Sequence, residues 1–321
     1  MDAPRPTRGA PSEELLELTQ LLRRALARRE EAPTGDWVEE VAADLRAGRK
    51  TGWYYPTVTG GGLAFYTAKG AEGFGHVHVG GGGEAAEQAF RLATTLLDGI
   101  DPDLRSLDVG FTGLAPDEEH VLLERISQRP GSTVIERDAM ERVLGPADGA
   151  ELGAPPSGLA HVAATDVTLE ALSDLDLRAF AGTTDELLIG RSVEDYARVL
   201  RALMDGSLGR FLPEASTALI TTEPPRLVGA ILSAELSARR GAFLDFMVDP
   251  ADRGRGIGRY LLRWGLRALW ALGYSSVHLW VTRSNLPARA LYDSSGFRTI
   301  ASATIYRWER PGSEPQAHSA R

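Results

Sequence analysis

This 321-residue sequence predicts an α/β fold built twice in tandem, each copy a mostly antiparallel, twisted mixed sheet flanked by helices. Three observations carry that expectation. Strand-like and helix-like periodicities alternate along the chain rather than segregating. One passage, residues 243–292, runs strand, glycine loop, helix, strand, helix with little polarity between. The order of elements over residues 12–144 recurs over residues 161–310, a period of about 160. Length and a hydrophobic content of 43% suit two domains with separate cores.

Taken in order, residues 1–11 are rich in Pro, Arg and Gly and are expected to form a disordered end, as is the polar stretch 311–321. Apolar residues at helical spacing predict helices over 13–29 and 37–47, and strand-like runs follow at 52–58, 62–67 and 74–79. The run Gly80–Gly83 opens a helix over 84–97. A strand over 104–111, a helix over 116–128 and a strand over 133–137 complete the first copy. Gly145–Pro156, rich in Gly, Pro and Ala, marks a linker assigned to 145–160.

The second copy repeats the pattern with helices over 168–180 and 193–203 and strands over 217–222, 227–237 and 242–248. Phe243, Leu244, Phe246, Met247 and Val248 form a nearly continuous apolar run, the signature of a strand buried on both faces, and Pro250 stops it. Tyr260, Leu261, Trp264, Leu269 and Leu272 then recur at helical spacing up to Gly273. Trp264, Trp270 and Trp280 are expected in the core.

Between that strand and helix lies Arg253-Gly254-Arg255-Gly256-Ile257-Gly258. Backbone N–H groups at a helix N-terminus have no intrahelical partner, and glycines let an anion approach them closely. Arg253, Arg255 and Arg259 add planar donors suited to phosphate. A Walker loop requires Gly-Lys-Ser/Thr, and no lysine is near; a dinucleotide fingerprint is spaced G-x-G-x-x-G directly after its strand, whereas here the spacing is G-x-G-x-G after a Pro-containing turn. Both nucleotide readings fail.

The pattern Arg253-x-x-Gly256-x-Gly258 resembles motif A of the GCN5-related N-acetyltransferases, the GNAT family. Asn285-Leu286-Pro287-Ala288-Arg289-Ala290-Leu291-Tyr292 resembles the family's Asn-x-x-Ala-x-x-Leu-Tyr helix, with Gly296-Phe297 leading into its last strand. The resemblance covers roughly 161–308. It implies acetyl-CoA as cofactor, bound by Phe246, Met247 and Val248 at the strand end, by Arg253, Gly254, Arg255, Gly256, Ile257, Gly258 and Arg259 in the loop and by Asn285 along the pantetheine arm. It also implies that the strands ending at Val248 and beginning near Ser276 splay apart, leaving amides near Met247 and Val248 to polarise the thioester carbonyl.

The implied activity is acetyl transfer to a primary amine of a small molecule or an amino terminus by direct attack. Tyr292 is the candidate general acid for the departing thiolate; an amphipathic core tyrosine also suits its place. For the base, Asp245 is the first choice, since strand alternation puts it on the face of Met247, and Glu235 is the second; either is equally readable as a paired strand carboxylate. The first copy departs from the pattern, with Gly80-Gly81-Gly82-Gly83-Glu84 lacking arginine and APDEEHVLLERI lacking tyrosine. It is expected to have lost cofactor binding or to bind the cofactor weakly. A non-catalytic acyl-CoA sensor and a tandem acetyltransferase similar to mycothiol synthase remain open alternatives.

Net charge is −9, but residues 1–160 hold 16 Lys+Arg against 26 Asp+Glu, and residues 161–310 hold 18 against 17. The acidic first half argues against nucleic acid as a partner. Absence of an apolar signal or spanning segment predicts a cytoplasmic protein with no membrane partner, expected as monomer or homodimer. Zero cysteines exclude disulfides and thiolate chemistry. His76 and His78 share a strand face but lack a third ligand, so no metal is expected. Trp53, Tyr54 and Tyr55 are readable equally as an aromatic wall of the acceptor cleft or as a packed strand.

Overall fold

The computed structural model describes residues 3–27, 37–56, 61–69, 71–80 and 84–312. The ends of the expected helix 13–29 and strand 52–58, the glycines Gly81, Gly82 and Gly83, and residues 313–321 lie outside the described residues. The described chain forms two compact units, one running to Ile135 and resuming at Thr304, the other Glu136–Ala303.

The first unit holds β1 (Arg5–Pro6), α1 (Ser12–Ala27), α2 (Trp37–Ala47), β2 (Gly52–Tyr55), β3 (Gly62–Lys69), β4 (Glu72–Val79), α3 (Ala85–Asp98), β5 (Ser106–Thr112) and α4 (Pro116–Ile126). Its sheet runs β1-β2-β3-β4-β5, antiparallel except for the parallel pair β4/β5. Alternation along the strands fills two layers. Tyr55, Ala64, Val77 and Val79 pack with α3 and α4, while Tyr54, Leu63 and Phe65 pack with Leu15, Leu18, Leu22 and Leu45 of α1 and α2. Residues 3–11 are part of this unit: Arg5 and Pro6 pair with Tyr54 and Trp53, and Thr7 is buried with its hydroxyl donating to the carbonyl of Gly52 (3.1 Å). The expectation of a disordered end therefore fails over 3–11. Low hydrophobicity did not reveal that β2 offers an edge to pair with.

The second unit holds β7 (Leu159–Ala163), α5 (Leu169–Phe180), α6 (Thr184–Ile189), α7 (Val193–Met204), β8 (Arg210–Phe211), β9 (Thr217–Thr221), β10 (Leu227–Ser237), β11 (Arg240–Val248), α8 (Ile257–Ala271), β12 (Ser276–Thr282) and α9 (Leu286–Ser294). Its strands run β7-β9-β10-β11-β12, again antiparallel except for one parallel pair, β11/β12. Ile257, Leu261, Leu262, Leu266 and Leu269 of α8 cover one face against Leu219, Ile231 and Phe243; Leu172, Leu175, Ala179, Leu200 and Leu203 of α5 and α7 cover the other against Ala230, Leu232 and Met247. Hydrogen-bonded caps start the helices: Thr168 accepts from Ala171 N–H (3.2 Å), and Ser192 and Asp195 form a reciprocal box on α7.

The two longest strands cross the division between halves. β6 (Ser132–Val143) follows α4, yet residues 137–143 pair antiparallel with β12. β13 (Arg298–Glu309) ends the second half, yet residues 305–309 pair with β5. The compact units are therefore discontinuous in sequence, whereas the expected domains 12–144 and 161–310 were contiguous. The element order repeats as expected, with a longer period: Val79 and Val248 close equivalent strands 169 positions apart.

Candidate active site

The turn after β11 is built by two carboxylates. Asp249 accepts the Ala251 N–H (3.0 Å) through Oδ1, and Arg178 Nε (3.1 Å) and Arg226 Nη1 (3.2 Å) through Oδ2. Asp252 is buried, which works against its ionisation, but Arg226 and Arg255 beside it hold the carboxyl below its ordinary value. Gly254 (φ 80°) and Gly256 (φ 82°) take left-handed conformations that L side chains rarely adopt, and an added Cβ on either would meet nothing within 4 Å. Backbone geometry requires these glycines, and the space beyond them is open. α8 begins immediately, and Tyr260 N–H bonds the Gly256 carbonyl (3.0 Å), which leaves the three earlier N–H groups of the first turn without a helical acceptor.

These groups edge a cleft of about 310 Å³. Phe246, Met247 and Val248, Arg253, Gly254, Gly256, Ile257, Gly258 and Arg259, and Asn285 all line it, joined by Phe180 and Thr183 from the α5–α6 corner. Arg255 does not line it; its guanidinium is engaged by Asp252. The sequence pattern counted three loop arginines for a ligand, and the fold spends one on holding the turn. Arg253 also ties the loop down, donating to the Ala179 carbonyl (2.6 Å). Asn285 caps α9, its Oδ1 accepting Ala288 N–H (3.3 Å), which leaves its amide N–H groups available to a ligand.

The cleft exists because two strands part. β11 and β12 pair only at Arg240↔Ser276, Gly241↔Val277 and Ala242↔His278, and beyond Ala242 they separate. β11 also carries a bulge: Leu232 pairs with Asp245 and Ser233 with Phe243, so Leu244 is the extra residue. Leu244 packs with Met247 in the α5/α7 layer, and Asp245 interacts with Asp176 of α5, so both face that layer. The equivalent strands of the first unit, β4 and β5, pair without a gap at seven positions from Glu72↔Ser106 to His78↔Thr112. His78 is buried, its Nδ1 2.9 Å from Thr112 Oγ1, and burial pushes His76 down to about 4; among the described residues no cluster suits a metal ion.

A second cleft of about 140 Å³ opens on the other side of Tyr292. Phe180, Phe246, Asn285, Ala288 and Tyr292 line both. The smaller one is also lined by Asp245, Asp185, Arg137, Trp280 and Thr282. Burial pushes Asp245 up to about 6, and burial together with the charge of Asp245 raises Asp176 well above the carboxylate range. Two like charges at one buried site cannot both ionise cheaply, so the pair retains a proton near neutral pH. Tyr292 is 7% exposed; burial first, then the charges of Asp245 and Asp185, raises its phenol, which stays protonated.

Glu235 is elsewhere. It pairs with Gly241 at the closed end of β11, six residues before Met247 or roughly 20 Å along the strand, where it accepts from Tyr274 Oη (2.8 Å) and Arg210 Nε (3.0 Å). It is a surface ion-pair carboxylate. Tyr54 and Tyr55 are buried in the cores of the first unit and Trp53 packs there too, so that trio is not an aromatic cleft wall. Trp280, expected in the core, is 36% exposed and lines the smaller cleft. The sequence reading missed Arg137, Asp176 and Asp185. Asp176 did leave a signal, a carboxylate on the helical stripe Leu172, Leu175, Ala179 that the pattern otherwise makes apolar.

Residues 184–297 match the family model described as Acetyltransferase (GNAT) family. The Mycothiol acetyltransferase of Gordonia bronchialis is 31% identical over 145 residues, which is 40% of this chain and 46% of that protein. The Mycothiol acetyltransferase of Frankia casuarinae is 44% identical over 64 residues, 20% of this chain and 19% of that protein. These matches span less than half of either relative. A GCN5-related N-acetyltransferase from Sphaerobacter thermophilus has a similar structure (TM-score 0.60, 17% identity, 96% of each chain), as does a tandem GNAT protein from the clavulanic acid biosynthesis pathway (TM-score 0.50, 14% identity, 97% of this chain and 99% of that one). At such identities the likeness establishes the fold, a tandem of two mixed α/β units.

Proposed function

From a chain that carries a GNAT-family acetyltransferase domain over residues 184–297, we propose that the second unit transfers an acetyl group from acetyl-CoA to a primary amine of a small molecule. The observation that carries this reading is the meeting of two clefts at Tyr292, one with the attributes of a phosphate-ended cofactor site and one lined by carboxylates. The cofactor supplies the activated acetyl thioester. The first-turn amides of α8, with Arg253 and Arg259, would hold its pyrophosphate, and the unpaired edge of β11 from Phe243 to Val248 would hold the pantetheine arm.

The chain's own groups account for the proton movements. Asp245, in its proton-sharing pair with Asp176, takes the proton of the incoming ammonium, and a value near 6 suits a base working at neutral pH. Backbone N–H groups at the end of β11, released from sheet pairing, stabilise negative charge developing on the carbonyl oxygen. Tyr292, kept protonated by burial, donates to the departing thiolate, and the second proton that the nitrogen sheds on becoming an amide restores the phenol through solvent in the cleft. Similarity to Mycothiol acetyltransferases favours a second reading of the acceptor, one of that type.

The test is thiol release from acetyl-CoA over a panel of amines. Tyr292→Phe is expected to lower turnover by about 10²-fold or more with modest change in acetyl-CoA affinity, in line with the loss of a general acid. Turnover at the wild-type level in that variant would return Tyr292 to a packing role. Cofactor binding without turnover of any amine would favour the sensor alternative.

A further inference from the structure

Among the described residues one cation lines the smaller cleft, and it comes from the first half of the chain. Arg137 lies on β6, opposite Thr282 at the end of β12, in the segment that joins the second unit. Its Nε is buried and has no hydrogen-bond partner. The guanidinium is 6.0 Å from the centre of the Trp280 ring, and its remaining neighbour is the charge of Asp185, whose Oδ1 is already engaged by the Thr282 hydroxyl. Burial lowers its affinity for its proton, the sign of a desolvated cation that hydrogen bonding does not compensate. A half-buried guanidinium whose Nε finds no acceptor is costly, and its planar fork of donors matches a carboxylate.

Asp245 and Tyr292 line the same cleft, where the acceptor amine must arrive, and Ile189, Val199 and Leu279 supply apolar wall. We propose that the acceptor is an α-amino acid, its amine at Asp245, its carboxylate on Arg137 and its aliphatic side chain against that wall. This narrows the acceptor class and rests on the acetyltransferase reading of the site. About 140 Å³ suits a small molecule, since an apolar cavity of roughly 150 Å³ takes up benzene. Arg137 is a specificity residue that the exchanged strand delivers to the other half's site.

The test uses the full-length protein and matched probes: alanine, valine and leucine, each beside its primary amide and its decarboxylated amine. The amino acids are expected to have acceptor KM values roughly ten- to hundred-fold below their partners, the scale of a charge-assisted bidentate pair. Arg137→Gln should erase that gap while leaving acetyl-CoA affinity and kcat near wild type, and Arg137→Lys should restore part of it. Equal or better use of amines lacking a carboxylate by the wild-type protein would overturn the proposal, as would a uniform loss across all probes in Arg137→Gln. Calorimetric binding of valine and of isobutyrate to the coenzyme A-saturated protein separates the two levels. Arg137-dependent binding without any turnover would support the carboxylate subsite and defeat the acetyltransferase reading; no such binding would defeat the subsite.

Discussion

Asp245 shows how one residue couples chemistry to stability. It is 9% exposed and adjoins a second carboxyl, and burial pushes it up to about 6. A carboxyl whose folded value lies above its unfolded value of about 4 favours the fold at acid pH, and that contribution is lost as pH rises through about 6. Asp245→Asn removes the ionisation and keeps a group able to pair with Asp176. The variant is therefore expected to be more stable than wild type at pH 7–8, by about 2–3 kcal/mol, with the difference vanishing near pH 4. Its turnover should fall by two orders of magnitude or more, and wild-type turnover should rise with pH through about 6 as the base ionises. Denaturant melts at two pH values together with a pH–rate profile check this; an Asp245→Asn variant destabilised at neutral pH would show that the carboxyl is structural.

At the scale of elements, the strand–loop–helix passage from β11 to α8 was legible because its physics is local. The glycines announce open access to backbone amides, the apolar run announces a two-sided strand, and the helix N-terminus follows. The three glycines are not equivalent in the fold. A side chain on Gly256 must enter the left-handed region, at roughly 1–2 kcal/mol, and would project into the open space beside the loop, where nothing lies within 4 Å of its Cβ. A Cβ on Gly258 would make ordinary contacts with Leu291 (3.5 Å), Val248 (3.8 Å) and Phe246 (3.9 Å). Gly256→Val is expected to weaken acetyl-CoA binding by at least 10²-fold, whereas Gly258→Ala should fold with little change in Tm and lose less affinity. Calorimetry on both variants decides, and unchanged affinity in Gly256→Val would remove the loop from the cofactor site. Less local features escaped the pattern. The bulge at Leu244 and the parting of β11 from β12 depend on register with neighbouring strands.

For the whole molecule, the two units have the same order of elements apart from the extra α6 and β8 of the second, and opposite states of their one parallel pair. β4 and β5 are closed along seven positions, with the His78–Thr112 hydrogen bond at the end where the other unit is open, while β11 and β12 part after three. The first unit thus has no unpaired strand edge at that place to receive a pantetheine arm. One acetyl-CoA per chain is the expected stoichiometry, and two equivalent sites by calorimetry would contradict it. Exchange of the last strands also makes the second unit depend on the first half of the chain: Asp138 on β6 accepts from Arg283 Nε (2.9 Å) and from Arg289 of α9, the helix that bears Tyr292.

By itself the sequence determined the alternation of elements and their duplication, the glycine loop at a helix N-terminus and, through the family resemblance, the helix that follows Asn285 and bears Tyr292. Periodicity, capping and turn chemistry are short-range, so they are written where they act. Only the tertiary structure decided which charges share a site. It placed Asp176 beside Asp245, sent Glu235 to a surface ion pair, committed Arg255 to Asp252 and brought Arg137 into the smaller cleft. Those outcomes depend on strand register and on which strand joins which sheet, and pairing between distant segments leaves no periodic trace in either segment.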